Sequence, residues 1–99
     1  MKTFTMGEVI ARLSTDINWR SAQRRITHLC NVRIIEPFVD ADGTGSFRQF
    51  TATNIDEIEI ALSLMEAKVA TSKIRNILKA YQNGETCFPH GRIHIVISK

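Results

Sequence analysis

The chain has 99 residues, of which 43% are apolar and 23% charged, with a net charge of +3 and two cysteines. This size allows one domain with a modest core, and two cysteines make no disulfide framework. No apolar run reaches the roughly 18 residues of a membrane-spanning helix, and the start has no signal-peptide core, so we expect a cytoplasmic protein without a membrane partner.

Charge is spread unevenly along the chain. From Arg12 to Arg33 there are six basic residues, counting His28, and one acid, whereas residues 56–66 contain four acids and no base. This asymmetry is typical of a basic face that meets a polyanion, although a solvated helix surface explains it equally well on charge alone.

The N-terminal part of the chain predicts two helices joined by a short turn. Thr5 and Glu8 have the spacing of a capping box, and apolar residues follow at helical intervals, so the first helix should cover about residues 5–13. Asn18 can cap a second helix that continues to Asn31.

The second helix is amphipathic. Its apolar face consists of Trp19, Ala22, Ile26, Leu29 and Cys30. We expect Trp19 to be a packing anchor in the core. The opposite face contains no acid and consists of Arg20, Arg24, Thr27 and Asn31, flanked by Gln23 and His28.

An extended arm follows over residues 34–50, with turn residues at 40–43. Phe47 and Phe50 are three positions apart, so they cannot both point inward on a regular strand. One of them should anchor the arm to the core, and Arg48 should then lie at or beside an exposed edge.

Two further helices and a strand are predicted after the arm. Thr51 can cap a helix that extends to about Met65, and Thr71 can cap a last helix that ends at Asn83. Residues 92–98 alternate between apolar and polar, which predicts a strand. This strand needs a partner, either the arm or the same strand of a second copy across a dimer axis, and we favour the second.

The order of elements is helix, turn, helix, two-stranded arm, helix, helix and strand. A short helix, a turn and a basic-faced helix followed by a hairpin outline a winged helix-turn-helix, a mainly α fold with a small β wing and here a C-terminal β-strand tail. The residues expected to build its core are Glu8, Val9, Leu13, Ala22, Ile26, Leu29, Phe50, Ile55, Ile58, Leu62, Ile74 and Leu78.

Three stretches, FTMGEVIARL, GTGSFRQFTATNIDEI and VATSKIRNIL, lie within residues 4–81. They resemble the first helix, the wing with its following helix, and the next helix of MerR-type transcriptional regulators. The wing match is the most specific, through Arg48, Phe50, Thr51 and Ile55. We therefore expect a MerR-like DNA-binding domain over residues 1–82 and a C-terminal tail over 83–99 that serves dimerisation.

The chain also departs from the pattern of this family. RRITHLCNVRII stands where the recognition helix usually reads TLRYYE followed by Gly-Leu, so base-reading residues cannot be carried over from the family. Regulators of the family usually continue into a long dimerisation helix and an effector domain. With the short tail here, no small-molecule effector is evident, and we expect no cofactor.

The resulting expectation is a transcriptional regulator that binds double-stranded DNA as a homodimer, with the second helix in the major groove. Arginine can pair with guanine edges, and Gln or Asn with adenine edges. The residues suited to base readout are Gln23, Arg24 and Asn31. The expected phosphate contacts are Arg20, Arg25 and Arg48, and the same surface includes Thr27 and His28.

Two other functions stay open. MerR-like folds also occur as protein-binding modules, such as small chaperone modulators, and a basic face argues against that role. Short winged helices also serve as accessory factors in site-specific recombination or phage packaging. Binding that bends DNA without affecting transcription would favour the accessory role.

Metal binding and catalysis are weaker hypotheses. Cys87, His90 and His94 have a C-x2-H-x3-H spacing, but three ligands leave a structural zinc site one short, so no metal is expected. The sequence contains no phosphate-binding glycine loop, paired carboxylates or nucleophile motif, so we do not expect an enzyme.

Overall fold

The computed structural model describes residues 2–13, 17–39 and 48–97. These residues are mainly helical with a small antiparallel sheet, as the sequence predicts. The helices are α1 (Met6–Arg12), α2 (Trp19–Asn31), α3 (Ala52–Glu66) and α4 (Thr71–Gln82), and the strands are β1 (Cys87–His90) and β2 (Ile93–Val96). Helix α1 packs on α2, α2 on α3, and α3 on α4. Over the described ranges, each helix is too short or too polar to cross a membrane.

Reciprocal side-chain caps begin two of these helices. Thr5 accepts a hydrogen bond from the Glu8 amide at 3.2 Å, and the Glu8 carboxylate accepts one from the Thr5 amide at 2.9 Å. The hydrogen bond from the Thr5 amide to the Glu8 carboxylate, followed by an interaction of that carboxylate with the Thr5 hydroxyl, holds the pKa of Glu8 below its ordinary value of 4.5. Glu8 is thus an exposed cap, and the prediction that it belongs to the core is wrong. Thr51 and Asn54 form the equivalent pair on α3, whereas Thr71, predicted to cap α4, is its first residue.

The helices enclose one hydrophobic core. The other residues predicted to build it are buried, except Leu13, which is partly buried. Phe50 is completely buried, so it is the phenylalanine that anchors the arm, while Phe47 lies outside the described residues. The prediction for Trp19 is wrong, because this side chain is 50% exposed. It occupies the first position of α2, ahead of Ala22, where the burial of this helix begins.

Backbone pairing ties the returning end of the arm to its outgoing end and to the N-terminus. Phe4 and Phe50 exchange amide–carbonyl hydrogen bonds of 2.8 and 2.9 Å. Val39 and Gln49 do the same at 3.2 and 2.9 Å. The arm is therefore held on both sides at 49–50. The turn predicted at 40–43 lies outside the described residues.

Three helices are followed by a residue in the left-handed conformation. These residues are Arg33 (φ 61°) after α2, Lys68 (φ 63°) after α3 and Gly84 (φ 94°) after α4. After α3, the Val69 amide donates to the Leu64 carbonyl at 3.0 Å, which closes the helix end. Glycine adopts this conformation without a steric penalty, whereas arginine and lysine do not.

We expect Lys68→Gly to raise the free energy of unfolding by about 1 kcal/mol, because glycine removes the left-handed penalty. The matched change Lys79→Gly, at an exposed position of α4, should lower it by about 1 kcal/mol through the poor helix propensity of glycine. Urea unfolding followed by circular dichroism measures both. A loss of stability in both variants would contradict the strain assigned to Lys68.

The C-terminal strand has a partner within the chain that the sequence analysis did not predict, and pairing with a second copy stays a prediction. Strand β2 pairs in antiparallel fashion with β1, the segment just before it, rather than with the arm. The two-residue connection is Gly91-Arg92, and Gly91 has φ 63°, which suits a tight hairpin turn. Phe88 of β1 is 7% exposed and belongs to the same core as the helices. The tail is thus a hairpin that packs onto the helical part of the chain.

Candidate nucleic-acid interface

Helix α2 is fixed at its start by Asn18. The side-chain oxygen of this residue accepts hydrogen bonds from the amides of Arg20 at 2.9 Å and Ser21 at 3.3 Å. Ile26 and Leu29 bury the inner side of the helix almost completely. The opposite side is therefore held toward solvent along the whole length of α2.

The outward side of α2 carries most of the residues predicted to contact DNA. Arg20, Arg24, His28 and Asn31 are exposed, and Thr27 is half-buried at the margin. We call these five residues the α2 polar face. Gln23 is also exposed and lies between this face and the core side. Since α2 contains no acidic residue, the formal charges on this face, those of Arg20 and Arg24, are both positive.

Arg48 of the arm meets the C-terminal end of the α2 polar face. Its Nη2 donates a hydrogen bond to Oδ1 of Asn31 at 2.8 Å. Arg48 is half-buried and directly precedes the 49–50 segment that the buried Phe50 ring anchors. The arm therefore extends the α2 polar face with one more cation at a fixed place.

Arg25 lies on a different flank of α2. Its Nη1 is 3.4 Å from Oε2 of Glu66 on α3, with the two side chains 35% and 79% exposed. At 100° per residue, Arg25 is turned about a quarter of a circle from Arg24 toward α3. Arg25, which was expected to contact phosphate, is therefore not part of the α2 polar face.

The C-terminal end of α2 is held by a contact that the sequence did not predict. Arg75 of α4 donates from Nη2 to the carbonyl of Val32 at 2.7 Å. Val32 is the C-cap of α2 and directly follows Asn31. This contact joins residues 43 positions apart, so no local pattern could have predicted it.

A buried polar network links α3 to α4. Glu57, only 5% exposed, accepts hydrogen bonds from the side-chain amides of Asn54, at 3.4 Å, and Gln82. Asn54 also donates to the Glu36 carbonyl at 3.0 Å, beside the outgoing end of the arm. The network therefore helps to fix the arm relative to the helices.

The weak metal candidates do not come together. Cys87 Sγ lies 3.8 Å from Nδ1 of His94. His90 is opposite Ile93 in the hairpin register, so it points to the other face of the sheet. Among the side chains that the structure describes, no group of three or more His, Cys, Asp or Glu residues is placed to hold a metal ion.

Comparison of the chain with protein-family models, curated proteins and solved structures finds no significant match.

Proposed function

We propose that this protein is a MerR-like winged helix-turn-helix transcriptional regulator that binds double-stranded DNA through the α2 polar face. The observation that carries the proposal is the 2.8 Å hydrogen bond between Arg48 and Asn31, because it joins the arm to an exposed, acid-free helix face. In a winged helix-turn-helix, the second helix and the wing contact the same duplex. In this proposal, helix α2 and the arm are those two elements.

The dimensions of the α2 polar face support this proposal. Thirteen residues of helix extend for roughly 20 Å, and the major groove, roughly 12 Å wide, admits one helix. Arg20 and Arg24 lie one turn apart on the exposed side, within reach of neighbouring positions in a groove. The apolar side of α2 stays in the core, so binding needs no rearrangement of the helix.

The contacts around the arm divide the roles of the side chains. Because Oδ1 of Asn31 already accepts from Arg48, a two-bond pairing of this side chain with adenine would compete with that contact. Arg24 and Gln23 are left as the proposed base readers. Arg20 and Arg48 are the proposed phosphate contacts, and Thr27 and His28 lie on the same face. Arg25, paired with Glu66, is excluded from the set.

One observation favours the protein-binding alternative. Phe38, on the outgoing end of the arm, is 58% exposed, and so large an apolar side chain at the surface is a plausible protein contact. The chain also carries the α2 polar face, so DNA binding explains more of the surface.

The test is binding of the purified protein to random duplex DNA across a salt series. We expect affinity to fall steeply with salt because phosphate contacts release counterions. Arg24→Ala and Arg48→Ala should both weaken binding, and loss of a phosphate contact at Arg48 should reduce the slope of log affinity against log salt by about 1.

Arg25→Ala is the matched control, since it removes the same charge from the same helix on the flank that contacts Glu66. It should leave the affinity much closer to that of the unaltered protein. An equal loss of DNA affinity in all three variants would mean that binding depends on the net charge of the protein and not on the position of each arginine. Absence of binding at low salt would overturn the proposed function and direct attention to protein partners.

A further inference from the structure

The two outer edges of the C-terminal hairpin differ in their hydrogen-bonding capacity. The Ile97 amide donates to the Thr86 carbonyl at 2.8 Å, so position 97 faces β1. Backbone groups along an antiparallel strand alternate in direction. The amides and carbonyls of His94 and Val96 therefore point away from β1, toward the outer edge of β2.

The outer edge of β1 is closed to further pairing. Pro89, opposite His94 in the register, has no amide hydrogen to donate. Its carbonyl accepts a hydrogen bond from Nζ of Lys73 on α4 at 2.8 Å. An added strand would find neither a donor nor an open acceptor at this position.

The outer edge of β2 has apolar side chains around it. Ile93 is 61% and Val96 66% exposed, a high fraction for residues of this type in a strand. A groove of about 310 Å³ lies between β2 and α3, lined on the apolar side by Ile60, Leu64, Ile95 and Ile97. A strand added to this edge would place side chains from one of its faces along the groove.

We propose that the outer edge of β2 pairs with the same edge of a second copy, giving a four-stranded antiparallel sheet. The two-fold axis passes between the two Ile95 residues, so Ile93 of each copy lies opposite Ile97 of the other. His94 and Val96 face each other across the axis and form four backbone hydrogen bonds. The choice of a second copy rests partly on the proposed function, because helix-turn-helix dimers match two-fold DNA sites.

The sequence of β2 fits this symmetric pairing. Isoleucines at 93, 95 and 97 each meet an isoleucine of the other copy on the face that borders the groove, and such β-branched pairs stabilise adjacent strands. Between 93 and 97 the chain has no acid, arginine or lysine, so no fixed like charges oppose one another. A contact between two short strands buries little surface compared with the roughly 1,200 Å² at the lower end of standard interfaces. We therefore expect a weak dimer with a dissociation constant in the micromolar range.

Sedimentation equilibrium of the full chain without DNA tests this proposal. The mass should rise with concentration from 11.2 kDa toward twice that value. His94→Pro removes the outward-pointing amide together with the imidazole near Cys87, and it should raise the dissociation constant at least about tenfold, since the flanking edge bonds are lost with that amide. Val96→Lys places a charge at the same edge without altering the backbone and should have a similar effect.

Pro89→Ala, on the closed edge, is the matched control and should leave the dissociation constant unchanged. Circular dichroism verifies that each variant is folded. A chain that stays a monomer at every concentration overturns the proposal, as does a dimer that Val96→Lys leaves intact. Because DNA is absent, a monomer that still binds DNA refutes only the dimer, and a dimer that fails to bind DNA refutes only the proposed function.

Discussion

Replacement of Phe50 by alanine should lower the free energy of unfolding by about 3–5 kcal/mol. The Phe50 side chain is completely buried, so its loss removes apolar burial and leaves a cavity. Its backbone also exchanges two hydrogen bonds with Phe4, so the surrounding chain cannot easily collapse into the space. Urea unfolding at equilibrium measures the loss.

Phe38→Ala is the matched control for this experiment. Phe38 belongs to the same arm but is 58% exposed, so its truncation should change stability by no more than about 0.5 kcal/mol. If the two variants lost similar stability, Phe50 could not be the anchor of the arm.

Because Phe50 lies two positions from Arg48, a mild variant such as Phe50→Leu should also weaken DNA binding.

The second large effect is expected from Glu57→Gln, which should lower the free energy of unfolding by about 1–3 kcal/mol. The buried carboxylate accepts from two side-chain amides, those of Asn54 and Gln82. A glutamine has a single carbonyl oxygen, so one of the two amides would face an amide group instead. A donor left without an acceptor in a buried place carries its full desolvation cost.

Glu66→Gln provides the comparison, because it makes the same chemical change on the same helix. Glu66 is 79% exposed and its ion pair with Arg25 is at the surface, so the change should amount to less than about 1 kcal/mol. Thermal unfolding of the two variants side by side measures the difference. Equal stability of Glu57→Gln and the unaltered protein would mean that the network contributes little to folding.

Local sequence signals predicted the helices well. The predicted capping pair Thr5–Glu8 and the predicted caps at Asn18 and Thr51 act over two or three residues, and the structure places them at the helix starts. Apolar periodicity likewise identified the inner side of α2, because a helix repeats its faces regularly. Such interactions depend only on neighbours in the chain.

Contacts between distant residues could not be predicted in this way. The apolar periodicity of α2 predicted that Trp19 points into the core. Periodicity does not show at which residue of α2 the neighbouring helices begin to cover the helix. Arg25 was expected to contact phosphate, whereas its partner in the structure, Glu66, lies 41 positions away, so no local pattern could predict this ion pair. The hairpin of β1 and β2 did have a local signal in Gly91, and Pro89 hides it, because proline lowers the strand propensity of β1.

The unequal edges of the hairpin set a limit on assembly size. Sheets grow into fibrils when each subunit offers two pairing edges, because every addition then exposes a new one. In this hairpin, Pro89 and the hydrogen bond from Lys73 leave a single edge available. Addition through β2 therefore ends after one step, and even concentrated protein should not polymerise through its C-terminal sheet.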